Sequence, residues 1–189
     1  MGKRDKSKSS TQQPPVSLIL PPSLYLGPCS AASSEPFLTA QSITDVLSIG
    51  ATPAEKFDGV SYHRISISDS PSPSISKACD SARTIIDAAL KFHNGTGKIL
   101  VHCSAGISRS PTVVAAYLMR HHQMSLNDAL RQIVQARPQA SPNPGFMRQL
   151  KEMEMELFGS VTVDVDEMPR KEKDRLVLFS EGSDAATSS

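Results

Sequence analysis

The sequence predicts an α/β fold: one domain built on a central, mostly parallel sheet flanked by helices. Short runs of strand character, SLYLG, TDVLSI, VSYHRISIS and KILVH, alternate with stretches of helical periodicity. Strands and helices in alternation join as parallel neighbours through crossovers. The run at 98–102 also passes through a tight loop of small residues directly into a helix-like stretch. The length of 189 residues, at 39% apolar content, suits a single domain with polar ends.

Residues 1–15 are Lys, Ser, Thr, Gln and Pro, the composition of a disordered tail, and the domain is expected over 16–159. A first strand is expected at 23–27, followed by a connector with some helix at 30–41. A second strand fits 44–49, where Gly50 turns the chain, and alternation at 60–68 gives a third. Ile75, Ala78, Cys79, Ala82, Ile85, Ile86, Ala89 and Leu90 recur at helical spacing, with Ser74 to cap the helix and Asn94-Gly95 to end it. Residues 98–102 form the strand that feeds the loop, and 109–122 form a largely buried central helix.

Ser125 opens another helix, with Asp128 three residues on as a capping box. Its inner face is Leu126, Ala129, Leu130, Ile133 and Val134, and Pro138 stops it. Pro144 suits the first turn of a last helix lined by Phe146, Leu150, Met153 and Leu157. Residues 160–189 read as a C-terminal tail. Alternating Val161, Val163 and Val165, with the apolar run 176–179, give part of it a reason to dock, at no specified place.

A net charge of +1 carries no broad nucleic-acid footprint. No apolar run approaches the ~18 residues of a membrane span, so no transmembrane segment is expected. The basic start has no apolar region behind it, which argues against a secretory signal, and Lys6 stands where myristoylation wants Ser or Thr. Three cysteines without framework spacing favour a reducing compartment, the cytoplasm with the nucleus also open. His63, His93, His121 and His122 lack metal-ligand spacing, so neither metal nor cofactor is expected. Oligomeric state is not encoded legibly.

The chemistry concentrates in VHCSAGISRSPT, residues 101–112, where Cys103 and Arg109 bracket five residues. Strand, tight loop and helix aim backbone N–H groups at a bound phosphate. A cysteine in that field is favoured as thiolate, and an arginine offers a planar fork to two phosphate oxygens. Ser104, Ala105, Gly106, Ile107 and Ser108 would supply the N–H groups, with Gly106 free to take positive φ. His102 would fix the loop through hydrogen bonds. The Ser110 hydroxyl either stabilises a departing thiolate or caps the helix. A general acid must come from elsewhere. Asp69 ends the third strand ahead of a Ser/Pro-rich loop, on the carboxyl side of the sheet where ligands gather. Its plainer reading is an Asx turn.

The run His102 to Ser110, HCSAGISRS, resembles the signature of cysteine-based protein phosphatases, and among them the dual-specificity phosphatases. Asp69, 34 positions ahead of Cys103 in DSPS, is similar to that family's general acid. AAYLM at 115–119 resembles the helix after its loop, and Ser141-Pro142-Asn143-Pro144-Gly145-Phe146 its Asn-x-Gly-Phe segment. The resemblance covers roughly residues 20–158. It implies a five-stranded sheet with helices on both faces, a shallow cleft open to phosphoserine, phosphothreonine and phosphotyrosine, no metal, and phosphorylated proteins as substrates. It also implies that Asn143 braces the loop; the residue alone reads equally as a helix N-cap. Pro111 and Pro144 depart from the family's usual residues, and both are compatible with helix starts.

Two other functions stay open at this point: a phosphatase for a non-protein ester, and a phosphate-binding module with little turnover. The loop interior carries no Lys or Arg, which favours a singly phosphorylated side chain over a polyphosphorylated lipid. Cys79 reads as core and Cys29 as a loop residue; either is left open as a disulfide partner for an oxidised Cys103.

Overall fold

The computed structural model describes residues 15–180. The basic start and the Ser-rich end, both read above as tail, lie outside the described residues, as does the His93 side chain. Five strands, β1 (Ser17–Leu20), β2 (Leu24–Pro28), β3 (Asp45–Ile49), β4 (Ser61–Ile65) and β5 (Ile99–Cys103), form one sheet in the order β1-β2-β5-β3-β4. β1 is antiparallel to β2, and every other pairing is parallel. Two helices, α1 (Cys29–Ala32) and α2 (Glu35–Gln41), follow β2. α3 (Ser76–Gly95) joins β4 to β5. After β5 come α4 (Arg109–His122), α5 (Leu126–Ala136), α6 (Pro144–Phe158) and α7 (Glu172–Leu178).

The period of two along β5 divides the core. Ile99, Val101 and Cys103 join the larger apolar cluster with Ile86, Val114, Leu130 and Phe146 from α3 to α6. Leu100 faces the other way, onto Ala31, Ala32, Phe37 and Leu38 of α1 and α2. Helices therefore cover both faces, and β5 is buried along its whole length. β2, β3, β4 and β5 all run in one direction, which brings their carboxyl ends, Pro28, Ile49, Ile65 and Cys103, to one edge of the sheet.

The expected strands are found within a residue or two, except that β4 ends at Ile65 rather than at 68. Beyond Ile65 the chain leaves the sheet to deliver Asp69. β1 was not expected. Its SLIL run is short, does not alternate, and closes on Pro21-Pro22; it becomes a strand by pairing with the edge of β2. The end of α3 is as read, with Asn94 and Gly95 both at positive φ. Ser125 Oγ accepts the Asp128 N–H at 3.1 Å and donates to its carboxylate at 2.7 Å, completing the cap of α5. Pro111 lies in the first turn of α4, where a missing N–H costs no helical hydrogen bond.

The C-terminal segment docks, and two buried ionic side chains hold it. Glu154 of α6 accepts the Leu126 N–H at 2.7 Å, which caps α5, and also the Thr162 N–H at 2.9 Å and hydroxyl at 2.6 Å. Arg175 of α7 donates to the carbonyls of Pro138 (2.7 Å), Pro169 (2.6 Å) and Arg170 (3.0 Å). Val163, Met168 and Phe179 join the larger core, while Val161 stays exposed. No helix among the described residues is long and apolar enough to cross a membrane.

Candidate active site

Cys103 is the last residue of β5 and Arg109 the first of α4, so residues 104–108 are the whole connection. The expectation that the strand ends at 102 is one residue short, since Cys103 still pairs with Pro28 of β2. Its thiol therefore issues from a rigid, buried strand end.

Every carbonyl of this stretch is tied back. Cys103 O accepts from His102 Nδ1 (3.2 Å), Ser104 O from Cys29 N (3.0 Å), and Ala105 O from Arg137 Nη2 (2.9 Å). Gly106 O accepts from Arg137 Nε (2.7 Å), Ile107 O from Ser141 N (2.7 Å), and Ser108 O from Thr112 N (3.1 Å) and Thr112 Oγ1 (2.8 Å). The peptides here are trans, so each carbonyl and the following N–H point opposite ways. Holding the carbonyls outward turns the N–H groups of 104–109 inward, toward the head of α4. The result is a cup of donors. Gly106 makes the sharpest bend, at φ +68°, and a Cβ there would collide with the Gly27 backbone and with Arg137.

Burial alone would push the Cys103 thiol up. The Ser110 hydroxyl, 3.2 Å from Sγ, and the N–H groups of Ser110, Ile107 and Gly106 outweigh burial and bring the thiol below its ordinary range. The cap position of α4 falls to Ser108, so the Ser110 hydroxyl does not cap the helix but donates to the sulfur.

Arg109 lies across the mouth of the cup. Its Nη2 donates to Ser104 Oγ at 2.8 Å, and its Nε is buried with no hydrogen-bond partner among the described residues, 3.7 Å from Asp69 Oδ2. An unsatisfied buried donor costs about 1–3 kcal/mol, a cost that an incoming oxyanion would relieve. Gly50, at φ +75°, leaves the room for this pose, since a Cβ would collide with Arg109 Nη1 and the Ile67 carbonyl.

Asp69 Oδ1 accepts from Ser108 Oγ at 2.7 Å and from Asn143 Nδ2 at 2.9 Å. Ser108 in turn accepts the Asn143 N–H at 3.2 Å. Asn143 also caps α6, its Oδ1 accepting the Phe146 N–H at 2.9 Å. Gly145 lets the Asp69 loop press onto α6, because a Cβ there would strike the Pro71 backbone. Asp69, Cys103, Arg109, Ser110 and Asn143 are thus gathered at one sheet edge, as the sequence reading expects.

His102 is buried between β3 and the loop, its Nε2 2.8 Å from Ser48 Oγ. Burial holds its pKa below the ordinary value, against the pull of the Cys103 carbonyl, so the ring is neutral near pH 7. A carbonyl only accepts, so Nδ1 carries the hydrogen and Ser48 donates to Nε2. Sequence reasoning missed two supporting residues. Ser48 is a lone polar residue in an apolar strand, opposite His102 in register. Arg137, just before a proline, reads as a solvated helix end, yet it is 2% exposed. Cys79 is core, as expected.

The family profile described as dual specificity phosphatase, catalytic domain, matches residues 24–156. The chain belongs to the dual specificity phosphatase family. Human dual specificity protein phosphatase 18 is 35% identical over 161 residues, 84% of each chain. The crystal structure of human DUSP28 superposes with a TM-score of 0.69 at 34% identity, covering 76% of this chain and 95% of that one. A mouse putative dual specificity phosphatase crystallised with zinc tungstate gives 0.72 at 31% identity, covering 82% and 96%. The chain is therefore a dual specificity protein phosphatase, a hydrolase of protein phosphate monoesters, with the small single α/β domain of its relatives.

Proposed function

We propose that this phosphatase works through a phosphocysteine intermediate, with Cys103, Arg109, Asp69 and Ser110 as its catalytic groups. The observation that carries the reading is the cup itself: six carbonyls tied back around a thiol held below its ordinary range. The substrate phosphate seats on the N–H groups of Ser104 to Arg109, and its oxygens supply the Arg109 fork with the partner that its Nε lacks.

Cys103 Sγ attacks phosphorus in line with the leaving oxygen. The S–P bond forms as the P–O ester bond breaks, and Asp69 delivers a proton to the leaving oxygen. Asp69, now a carboxylate, takes a proton from water, whose oxygen attacks the phosphocysteine. The S–P bond breaks, inorganic phosphate leaves, and the electron pair returns to Sγ, where the Ser110 hydroxyl steadies it. Ser108 and Asn143 keep Asp69 aimed at the cup. His102 fixes the loop and moves no proton.

The open mouth supports phosphorylated Ser and Thr as well as Tyr. Ser104, Ala105, Ile107 and Asp69 are all exposed, so a short side chain reaches the thiol. The neutral loop interior supports a protein substrate over a polyphosphorylated lipid, and the net charge of +1 speaks against nucleic acid. Three free cysteines support a reducing setting, the cytoplasm or the nucleus.

The test is hydrolysis of an aryl phosphate in the presence of chelator, with rapid acid quench of Ser110→Ala to trap phosphate on the Cys103 peptide. Metal-independent turnover with a trapped phosphocysteine bears the reading out. Turnover that survives Cys103→Ser refutes it. A reduced, folded protein that binds vanadate but turns over no phosphoprotein would move the assignment to phosphate binding.

A further inference from the structure

Arg137 is a buried cation that the mechanism above does not use. Its guanidinium is spread over three carbonyls: Nε to Gly106 O at 2.7 Å, Nη2 to Ala105 O at 2.9 Å and Nη1 to Pro15 O at 2.8 Å. Two of these belong to the phosphate loop, at the bend where Gly106 takes positive φ. The peptide units concerned are those whose N–H groups come from Gly106 and Ile107, and both N–H groups point at Cys103 Sγ. The charge of Arg137 also senses that of Cys103.

The turn that carries Arg137 is itself held from two sides. Toward the loop, Ser141 N–H donates to Ile107 O at 2.7 Å. From outside, Arg175 of α7 donates its Nε to Pro138 O at 2.7 Å. Arg175 is nearly fully buried and closes the C-terminal segment on itself through Pro169 and Arg170. A path thus runs from α7 through the Arg175–Pro138 hydrogen bond, along the chain to Arg137, and through its hydrogen bonds to the loop carbonyls. Pro15, just before β1, brings the other end of the domain to the same guanidinium.

Resting on the phosphatase reading, we propose that Arg137 is a positioning residue of the phosphate loop, and that the docked C-terminal segment, through Arg175, holds Arg137 in place. Arg137 touches no substrate. It keeps two peptide units turned so that their N–H groups face the sulfur and the phosphate. The fork geometry matters as well as the charge, since a lysine offers one point where the guanidinium spans three carbonyls. The C-terminal segment is then part of the catalytic architecture, and anything that lifts α7 loosens the loop.

The experiment reads the thiolate directly and needs no turnover. Iodoacetamide alkylation of the Cys103 peptide is followed by mass spectrometry across pH in the parent protein, Arg137→Met, Arg137→Lys, Arg175→Met and the control Val177→Ser. The expected result is an acid limb of the alkylation profile displaced about one unit to higher pH in Arg137→Met, which lowers the rate about tenfold on the limb well below the thiol pKa, with the alkaline plateau unchanged. Arg175→Met is expected to lower that rate about threefold, by roughly half a unit, with Arg137→Lys between the two and Val177→Ser at the parent value. Parent-like pH profiles in Arg137→Met and Arg175→Met, with only the melting temperature lowered, would overturn the proposal. Should Arg137→Met fail to fold, Arg175→Met decides in the same two ways. Because the readout is alkylation, even a protein that hydrolysed nothing would still reveal whether Arg137 acts on the thiol.

Discussion

Two cysteines of this protein are almost equally buried, Cys79 at 3% and Cys103 at 2% exposure, yet their chemistry diverges. Burial pushes the Cys79 thiol up to about 12, since nearby Arg120 offsets little of the burial and Asp80 adds to it. Cys103 goes the other way because three N–H groups and a hydroxyl converge on its sulfur. The difference teaches that burial does not make a nucleophile. The loop after β5 does, by turning donors onto the sulfur, which the first turn of α3 does not do for Cys79. Cys29, half-buried at the start of α1, makes a third case, raised by burial and by the neighbouring negative charge of Cys103.

The contrast is broken most severely by removing the sulfur. Cys103→Ser is expected to lower kcat by about 10⁴-fold or more, while Cys79→Ser leaves kcat unchanged and shows only in the melting temperature. Steady-state kinetics beside thermal melts on the two variants check this, and equal losses of activity would undo the distinction. Next in size is the cup. Arg109→Lys keeps a charge but loses the fork, and a fall in kcat/KM of about 10²–10³-fold is expected.

Asp69→Asn tests the acid rather than the cup. Its kcat is expected to fall about 10²-fold on phenyl phosphate, whose leaving oxygen needs a proton, and far less on p-nitrophenyl phosphate. A loss independent of the leaving group would remove Asp69 from the acid role.

A gentler change sharpens the comparison. Ser110→Ala removes one donor from the Cys103 thiolate, so the thiol pKa rises toward its ordinary value. Because the depressed pKa keeps the thiolate populated as pH falls, the acid limb of the kcat/KM profile should move to higher pH in this variant. An unmoved limb, from pH–rate curves with the parent run alongside, would leave Ser110 as no more than part of the helix start. The last contrast between the two cysteines is oxidative. Brief mild peroxide should inactivate the enzyme through Cys103, thiol reductant should restore it, and Cys79 should stay unmodified by peptide mass mapping.

The parts of the molecule legible in the sequence are those fixed by local chemistry. The strand-loop-helix around Cys103, the Ser125 and Asn143 caps and the periodic faces of α3 and α5 all follow from residue type and spacing. What escaped depends on distant partners. SLIL at 17–20 is a strand only because β2 offers it an edge. Arg137, Arg175 and Glu154 all look like surface charges in sequence, and all three are buried because backbone groups from other segments need them. Ser48 matters only because strand register sets it opposite His102. The placement of Asp69 and Asn143 beside the loop was readable, but the Ser108 hydroxyl that joins them was not, since that loop residue was counted only for its N–H.

The outward-tied carbonyls of residues 103–108 carry one more consequence. A receptacle of inward-turned N–H groups answers to shape and charge, and the tetrahedral dianion released in the last step has both. Free phosphate should therefore compete with substrate, and each round of catalysis should leave the enzyme facing its own product. As product builds up, the rate of dephosphorylation falls, a brake that needs no second site.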